Sequence, residues 1–277
     1  MDVKPQGFEL TGKPESLADM ARGVWQSRDL LRMLAKKDFV ARYRRASLGM
    51  AWAVGLPLVQ AVVLAVVLSH LVKFKTNVNF AVFVYTGTLA WNFFSQTLTQ
   101  TTNSIVEGQA LATKIYFPRA ILPMTTVLSS LYGFLPGLPL LIILAIAFKV
   151  HLTWHIFLLI PATLLMIAMT TAFSLVAAAM QVYFRDMRYI VQALVVPWFY
   201  ASAVFYPLTL LDKAPHLKPF IDLNPATGMI LLFRAAVVGA DPGWRAALVW
   251  PFVWTAAFFI VALYLYRRFD RVFVDLL

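Results

Sequence analysis

The chain has 277 residues, 61% of them hydrophobic and only 13% charged. Soluble domains carry about a quarter charged residues, and so much apolar surface is not tolerated in water, so lipid is the expected solvent. The formal charge of +11 does not indicate nucleic acid, because the cations crowd into the first 45 residues and the short breaks between apolar runs, as in a protein oriented by cytoplasmic positive charge and held against anionic lipid.

Residues 1–45 read as a cytoplasmic N-terminal segment, and residues 46–277 as a six-span domain. No cleavable signal peptide is expected, since the first long apolar run follows a long charged segment. Within Trp25–Arg45, Leu30, Leu31, Leu34, Phe39 and Tyr43 recur at near-helical spacing. Arg28, Arg32 and Lys36 form a basic ladder, and Asp38 can pair with Arg42. The expectation is an amphipathic helix in the membrane interface, N-capped by Ser27, with its apolar side in lipid; a solvated charged helix is the alternative.

Six charge-free stretches follow, each long enough for a bilayer of about 30 Å. They lie between Arg45 and Lys73, Lys75 and Glu107, Arg119 and Lys149, Lys149 and Arg185, Arg188 and Asp212, and Arg245 and Arg267. The fold class is therefore all-α, a polytopic membrane protein with six transmembrane helices. Placing the N-terminus inside puts 17 of the 24 basic residues on the cytoplasmic side, which orients both termini there. Before the last span, at about residues 219–240, an apolar run is broken by Asn224-Pro225, Gly228, Arg234 and Gly239. It reads as short re-entrant helices dipping in from the outer face, or else as an external loop helix.

The six stretches contain no Asp, Glu, Lys or Arg, which speaks against ion-coupled transport and against catalysis by buried carboxylates. No catalytic or metal site is expected: His70, His151, His155 and His216 form no cluster, although His151 and His155 have the spacing of a helical metal pair. The absence of cysteine excludes disulfides and thiolate metal sites. No GxxxxGK loop occurs, so any ATP would be used by a partner.

The polar chemistry sits in the second stretch. Tyr85, Thr88, Asn92, Ser95, Thr99 and Thr102 follow a 3-4 rhythm and share one helix face. Such a face must meet another helix or a wet path. The fourth stretch has a sparser stripe of Thr163, Thr170, Ser174 and Gln181. Interhelical hydrogen bonding and a substrate conduit both remain open for these residues. Trp91, Trp198, Phe199 and Tyr200 suit either an interfacial aromatic belt or a wall for sugar rings.

Three segments together resemble the permease subunits of bacterial polysaccharide-exporting ABC transporters, the family that exports O-antigen, capsule and teichoic acid chains. KKDFVARYRRASLGMAWAVGLPL (Lys36–Leu58) resembles their interface helix and first span. EGQALATKIYFPRAILP (Glu107–Pro123) resembles their cytoplasmic coupling segment, with its Phe-Pro-Arg turn, and NPATGMILLFRAAVVG (Asn224–Gly239) the stretch before their last span. The resemblance implies a homodimer in the bacterial cytoplasmic membrane, bound to two copies of a cytoplasmic ATPase subunit. ATP and Mg would reside on that subunit, and this chain would bind no cofactor. Asp38, Arg42, Gly108, Lys114, Tyr116 and Arg119 would receive the ATPase's motion. A lipid-linked polysaccharide would pass along Tyr85, Thr88, Trp91, Asn92, Ser95, Thr99, Trp198, Phe199 and Tyr200. Export of a drug or lipid, or a stand-alone transporter or membrane-embedded enzyme, are the rival readings.

Overall fold

The computed structural model describes residues 17–44, 46–71, 79–112, 117–239 and 244–269. Among these residues every regular element is helical. In chain order they are α1 (Leu17–Gln26), α2 (Arg28–Tyr43), α3 (Trp52–Leu71), α4 (Phe80–Thr102), α5 (Ser104–Glu107), α6 (Gln109–Ala112) and α7 (Ile121–Phe134). There follow α8 (Gly137–Ala147), α9 (Leu159–Tyr183), α10 (Met187–Tyr200), α11 (Lys218–Leu223), α12 (Pro225–Val237) and α13 (Trp244–Phe269).

Four helical stretches are long and apolar enough to cross a bilayer: Gly49–His70, Ile121–Ala147, Trp154–Tyr183 and Trp244–Arg267. They make the chain a multi-pass membrane protein. The other two expected spans differ for separate reasons. Helix α4 has 23 residues, yet its amides and hydroxyls keep it from being apolar throughout. Helix α10 has only 14 residues, about 21 Å of rise, because the chain reverses directly after Tyr200. The Ile121–Ala147 stretch is interrupted between α7 and α8 at Leu135-Pro136, where proline has no N–H to continue the hydrogen-bond ladder.

Helix α4 is the hub. It packs against α3, α7, α9, α10 and α12, and its residues from Val82 to Ser95 are all buried. Burying so polar a helix leaves the lipid-facing perimeter to α3, α8, α9 and α13, whose large exposed hydrophobic side chains are Val, Leu, Ile and Phe with Tyr264 of α13. Asn79 starts α4 by accepting the Ala81 N–H at 2.9 Å. Asn79→Ala removes this cap and is expected to lower stability by about 1 kcal/mol, a shift of a few degrees at this chain size in a melt of the detergent-purified protein.

A second cluster closes the opposite end of the bundle. Leu30 and Leu31 of α2 lie there against Phe117, Ile121, Leu175, Ala178 and Tyr266. Farther along α2, Ala35 is fully buried, and Phe39 meets Tyr132 edge-on at 6.0 Å. Part of the apolar side of α2 therefore rests on α7 instead of lipid, while Met33 and Val40 stay exposed. Ser27 precedes α2, but its hydroxyl makes no cap. The Ser27 N–H instead bonds back to Gly23 and its carbonyl accepts from Leu31, so α1 runs into α2 with the backbone already satisfied.

Candidate functional site

The expected polar face of α4 divides in two. In its first half, Tyr85 and Thr88 are fully buried, and the Thr88 hydroxyl donates to the Val84 and Tyr85 carbonyls of its own helix. Trp91, 3% exposed, meets Phe94, Trp198 and Phe199 at ring separations of 5.8–6.2 Å. Ser95 is buried, and its carbonyl accepts the Thr99 hydroxyl at 2.8 Å.

In the second half the stripe surfaces. Asn92, Gln96, Thr99 and Asn103 lie at helical spacing on one face, and Gln96 is exposed. The Asn92 Nδ2 donates to the Gln60 Oε1 of α3 at 2.8 Å. Gln60 is a functional candidate that reasoning from the sequence missed. Its signal is that it is the one amide in the Val- and Leu-rich run of α3. In the stripe of the fourth stretch two residues are held internally: Thr101 donates to Ser174 at 2.8 Å, and Gln181 bonds both the Arg185 carbonyl and the Arg188 N–H, closing the turn into α10.

Helices α2, α3, α4 and α7 surround a small open cavity whose polar lining includes Arg42, Tyr43, Asn92, Gln96, Ser129 and Ser130. Arg42 pairs with Asp38 at 2.9 Å and reaches Ser129 Oγ at 3.5 Å. A residue expected at a partner contact thus shares a cavity with one expected in the conduit. Gly108 separates α5 from α6, and a Cβ there would lie 2.7 Å from both Leu122 methyl carbons. Arg119 sits in the turn that starts α7, where its carbonyl accepts from Leu122. Gly23 of α1 approaches the same turn, a Cβ on it standing 3.0 Å from Pro118 Cγ. Lys114 and Tyr116 lie outside the described residues.

The aromatic residues of α10 extend from the core to the surface. Trp198 is partly buried and donates through Nε1 to Asn224 Oδ1 at 2.9 Å. Phe199 stacks obliquely on Phe205 at 5.4 Å, and Tyr200 is exposed. Asn224 is the anchor of this region. Besides the indole it accepts the Ala226 N–H, capping α12, and it donates to the Ala201 carbonyl and Ser202 hydroxyl. His155 stacks on Trp154 and bonds Thr153. His151 precedes this short 3-10 turn, so the two histidines do not share a helix and their spacing forms no pair.

The description ABC-2 type transporter belongs to the family whose sequence profile matches residues 29–238. An O-antigen export system permease protein RfbA of Myxococcus xanthus is 32% identical over 217 residues, covering 78% of this chain and 83% of the relative. A Klebsiella pneumoniae protein of the same name is 24% identical over 210 residues, covering 74% of this chain and 79% of the relative.

Proposed function

The chain belongs to the ABC-2 type transporter family, and from that premise we propose that it is the permease subunit of an ATP-driven exporter for a lipid-linked polysaccharide. The observation that carries the reading is the amide and hydroxyl stripe of Gln96, Thr99 and Asn103, which surfaces beyond the buried Asn92 on a helix otherwise packed in a membrane core. Lipid offers such groups no partner. A glycan does, because each sugar hydroxyl both donates and accepts, and amides exchange those bonds without a net charge to hold the polymer in place. The similarity to permeases of O-antigen export supports the same substrate class.

In this reading the chain crosses the bacterial cytoplasmic membrane six times, with α4 and α10 as the second and fifth crossings and both termini in the cytoplasm. Two copies assemble so that their polar stripes face one path. Gln96 and Thr99 line it, Trp198, Phe199 and Tyr200 form its aromatic wall, and Tyr85, Thr88, Trp91, Asn92 and Ser95 stand behind as support. The α11–α12 pair is re-entrant. Leu223, next to the turn, accepts the Trp254 indole N–H, and Trp254 lies about 15 Å along α13 from its start.

Two copies of a separate ATPase, which holds the ATP and Mg, press on α5, α6, Lys114, Tyr116, Arg119 and the Asp38–Arg42 end of α2. This chain has no cofactor of its own. Close packing of Gly108 on Leu122 supports the transfer of that push into α7. Gly108→Val is therefore expected to keep the ATPase bound and hydrolysing while export falls roughly tenfold or more, measured as glycan flux per ATP in proteoliposomes. Purification under mild detergent tests the proposal as a whole. A stoichiometric ATPase partner and ATP-dependent movement of a lipid-linked glycan support it; a chain that purifies alone and moves no glycan with any ATPase of its operon sinks it.

A further inference from the structure

Arg234, one of the residues that break the apolar run before the last span, is fully buried in α12. Its guanidinium carbon lies 3.6 Å from the centroid of the Phe83 ring. Nη2 donates to the Val204 carbonyl at 2.6 Å and Nη1 to the Tyr206 carbonyl at 3.3 Å. Both acceptors belong to the 201–206 reversal that ends α10, where Ala203 takes a left-handed φ of 50°. From the other side, α4 presses on the same reversal through Gly87: a Cβ there would stand 2.2 Å from the Val204 oxygen and 3.2 Å from Arg234 Nη2.

What this grip holds is aromatic. Phe205 lies between Val204 and Tyr206, its ring 5.4 Å from Phe199 and 5.8 Å from Tyr200. The Tyr206 hydroxyl donates to the Tyr200 carbonyl at 2.9 Å. A neutral donor could serve the two carbonyls without the desolvation that a buried cation incurs. A guanidinium adds a rigid planar fork that fixes both carbonyls at once while stacking on a ring.

We propose that Arg234 is a positioning residue: by holding Val204 and Tyr206 it fixes Phe205 against Phe199 and Tyr200, and so sets the spacing of the aromatic wall that meets the substrate. This rests on the export reading given above. Lysine at this position keeps the charge but cannot hold two carbonyls in one plane.

The chain contains no cysteine, so an introduced one is a unique probe. In the full-length protein, Val204→Cys reports on the reversal and Ala178→Cys on the buried cluster at the opposite end. The Arg234→Lys change is expected to speed maleimide labelling at 204 roughly tenfold and leave labelling at 178 unchanged. In the reconstituted complex with its ATPase, Arg234→Lys and Phe205→Ala should each slow glycan export several-fold. Arg234→Lys should then add nothing on top of Phe205→Ala, because residues acting through one contact are not additive. Unchanged labelling at 204, faster labelling at both cysteines, or losses that multiply in the double variant would each overturn the positioning role. A wild-type complex that hydrolyses ATP but moves no glycan overturns the export reading instead, and the labelling then still decides what Arg234 positions.

Discussion

Replacing Gly228 with alanine is expected to lower the melting temperature of the purified chain by roughly 10 °C, from a loss of about 3 kcal/mol or more. A Cβ at this position would lie 2.3 Å from the Ala247 carbonyl oxygen and 2.7 Å from Pro251 Cγ. Neither neighbour is the free end of a flexible side chain: one is helix backbone and the other a closed ring. Relief requires α12 to draw away from α13. Every residue of α12 is buried, and the helix also packs on α4 and α9, so that displacement spreads to three interfaces. Overpacking at a single core site typically costs 1–3 kcal/mol, and the shared displacement places this one at the upper end or beyond. Gly228→Ser should behave alike, since the clash is with the first side-chain atom. A melting temperature within a degree of wild type would mean that the two helices stand farther apart than described.

Asn224→Leu is expected to have the second-largest effect, about 3 kcal/mol in stability together with loss of export. The side chain accepts from Trp198 Nε1 and the Ala226 N–H, and donates to the Ala201 carbonyl and Ser202 Oγ, all at 2.9–3.0 Å. Leucine strands the part-buried Trp198 indole, Ala226 N–H and Ser202 hydroxyl, and an unsatisfied buried polar group costs about 1–3 kcal/mol. The losses are not simply additive, because one side chain serves all four. Asn224→Asp separates the roles: the carboxylate keeps both acceptor contacts and loses both donor contacts, so an intermediate melting temperature is expected. Export measured alongside separates anchoring of α10 from capping of α12. Asn224→Asp preserves the cap, so an export loss in this variant reports on the link to Ala201 and Ser202.

Much of the helical layout was visible in the sequence, because long apolar runs leave few alternatives. Those of α3, α9 and α13 mark crossings without further help. The end of α10 was not legible. The charge-free run from Arg188 to Asp212 is long enough to cross, but α10 stops at Tyr200. What accompanies that stop is Asn224 reaching Ala201 and Ser202, a long-range contact to which local periodicity is blind.

The candidate site was legible by residue type but less so by environment. Helical spacing put Tyr85, Thr88, Asn92, Ser95 and Thr99 on one face, yet spacing does not tell which part of that face a neighbour covers. The answer lies in which helices pack on α4, and the cover ends near Gln96. Arg234 misled for a related reason. A charge in an apolar run usually marks water, and here the carbonyls of a chain reversal and the Phe83 ring take its place. The cavity that joins Arg42 to Asn92 brings together residues of α2 and α4, and no local pattern could have linked them.

The Gln60–Asn92 bond also bears on how the chain is made. A helix carrying Asn92, Gln96, Thr99, Gln100 and Asn103 enters hydrocarbon reluctantly by itself, since each bare amide carries a penalty there. Synthesis delivers α3 first, and its one amide stands at the level where α4 needs a partner. With α4 as the second crossing proposed above, the two segments can leave the insertion machinery as a hairpin whose amides are already matched. On this view Gln60 is a chaperone in cis: its replacement by leucine would make α3 a better membrane segment alone, and α4 a worse one.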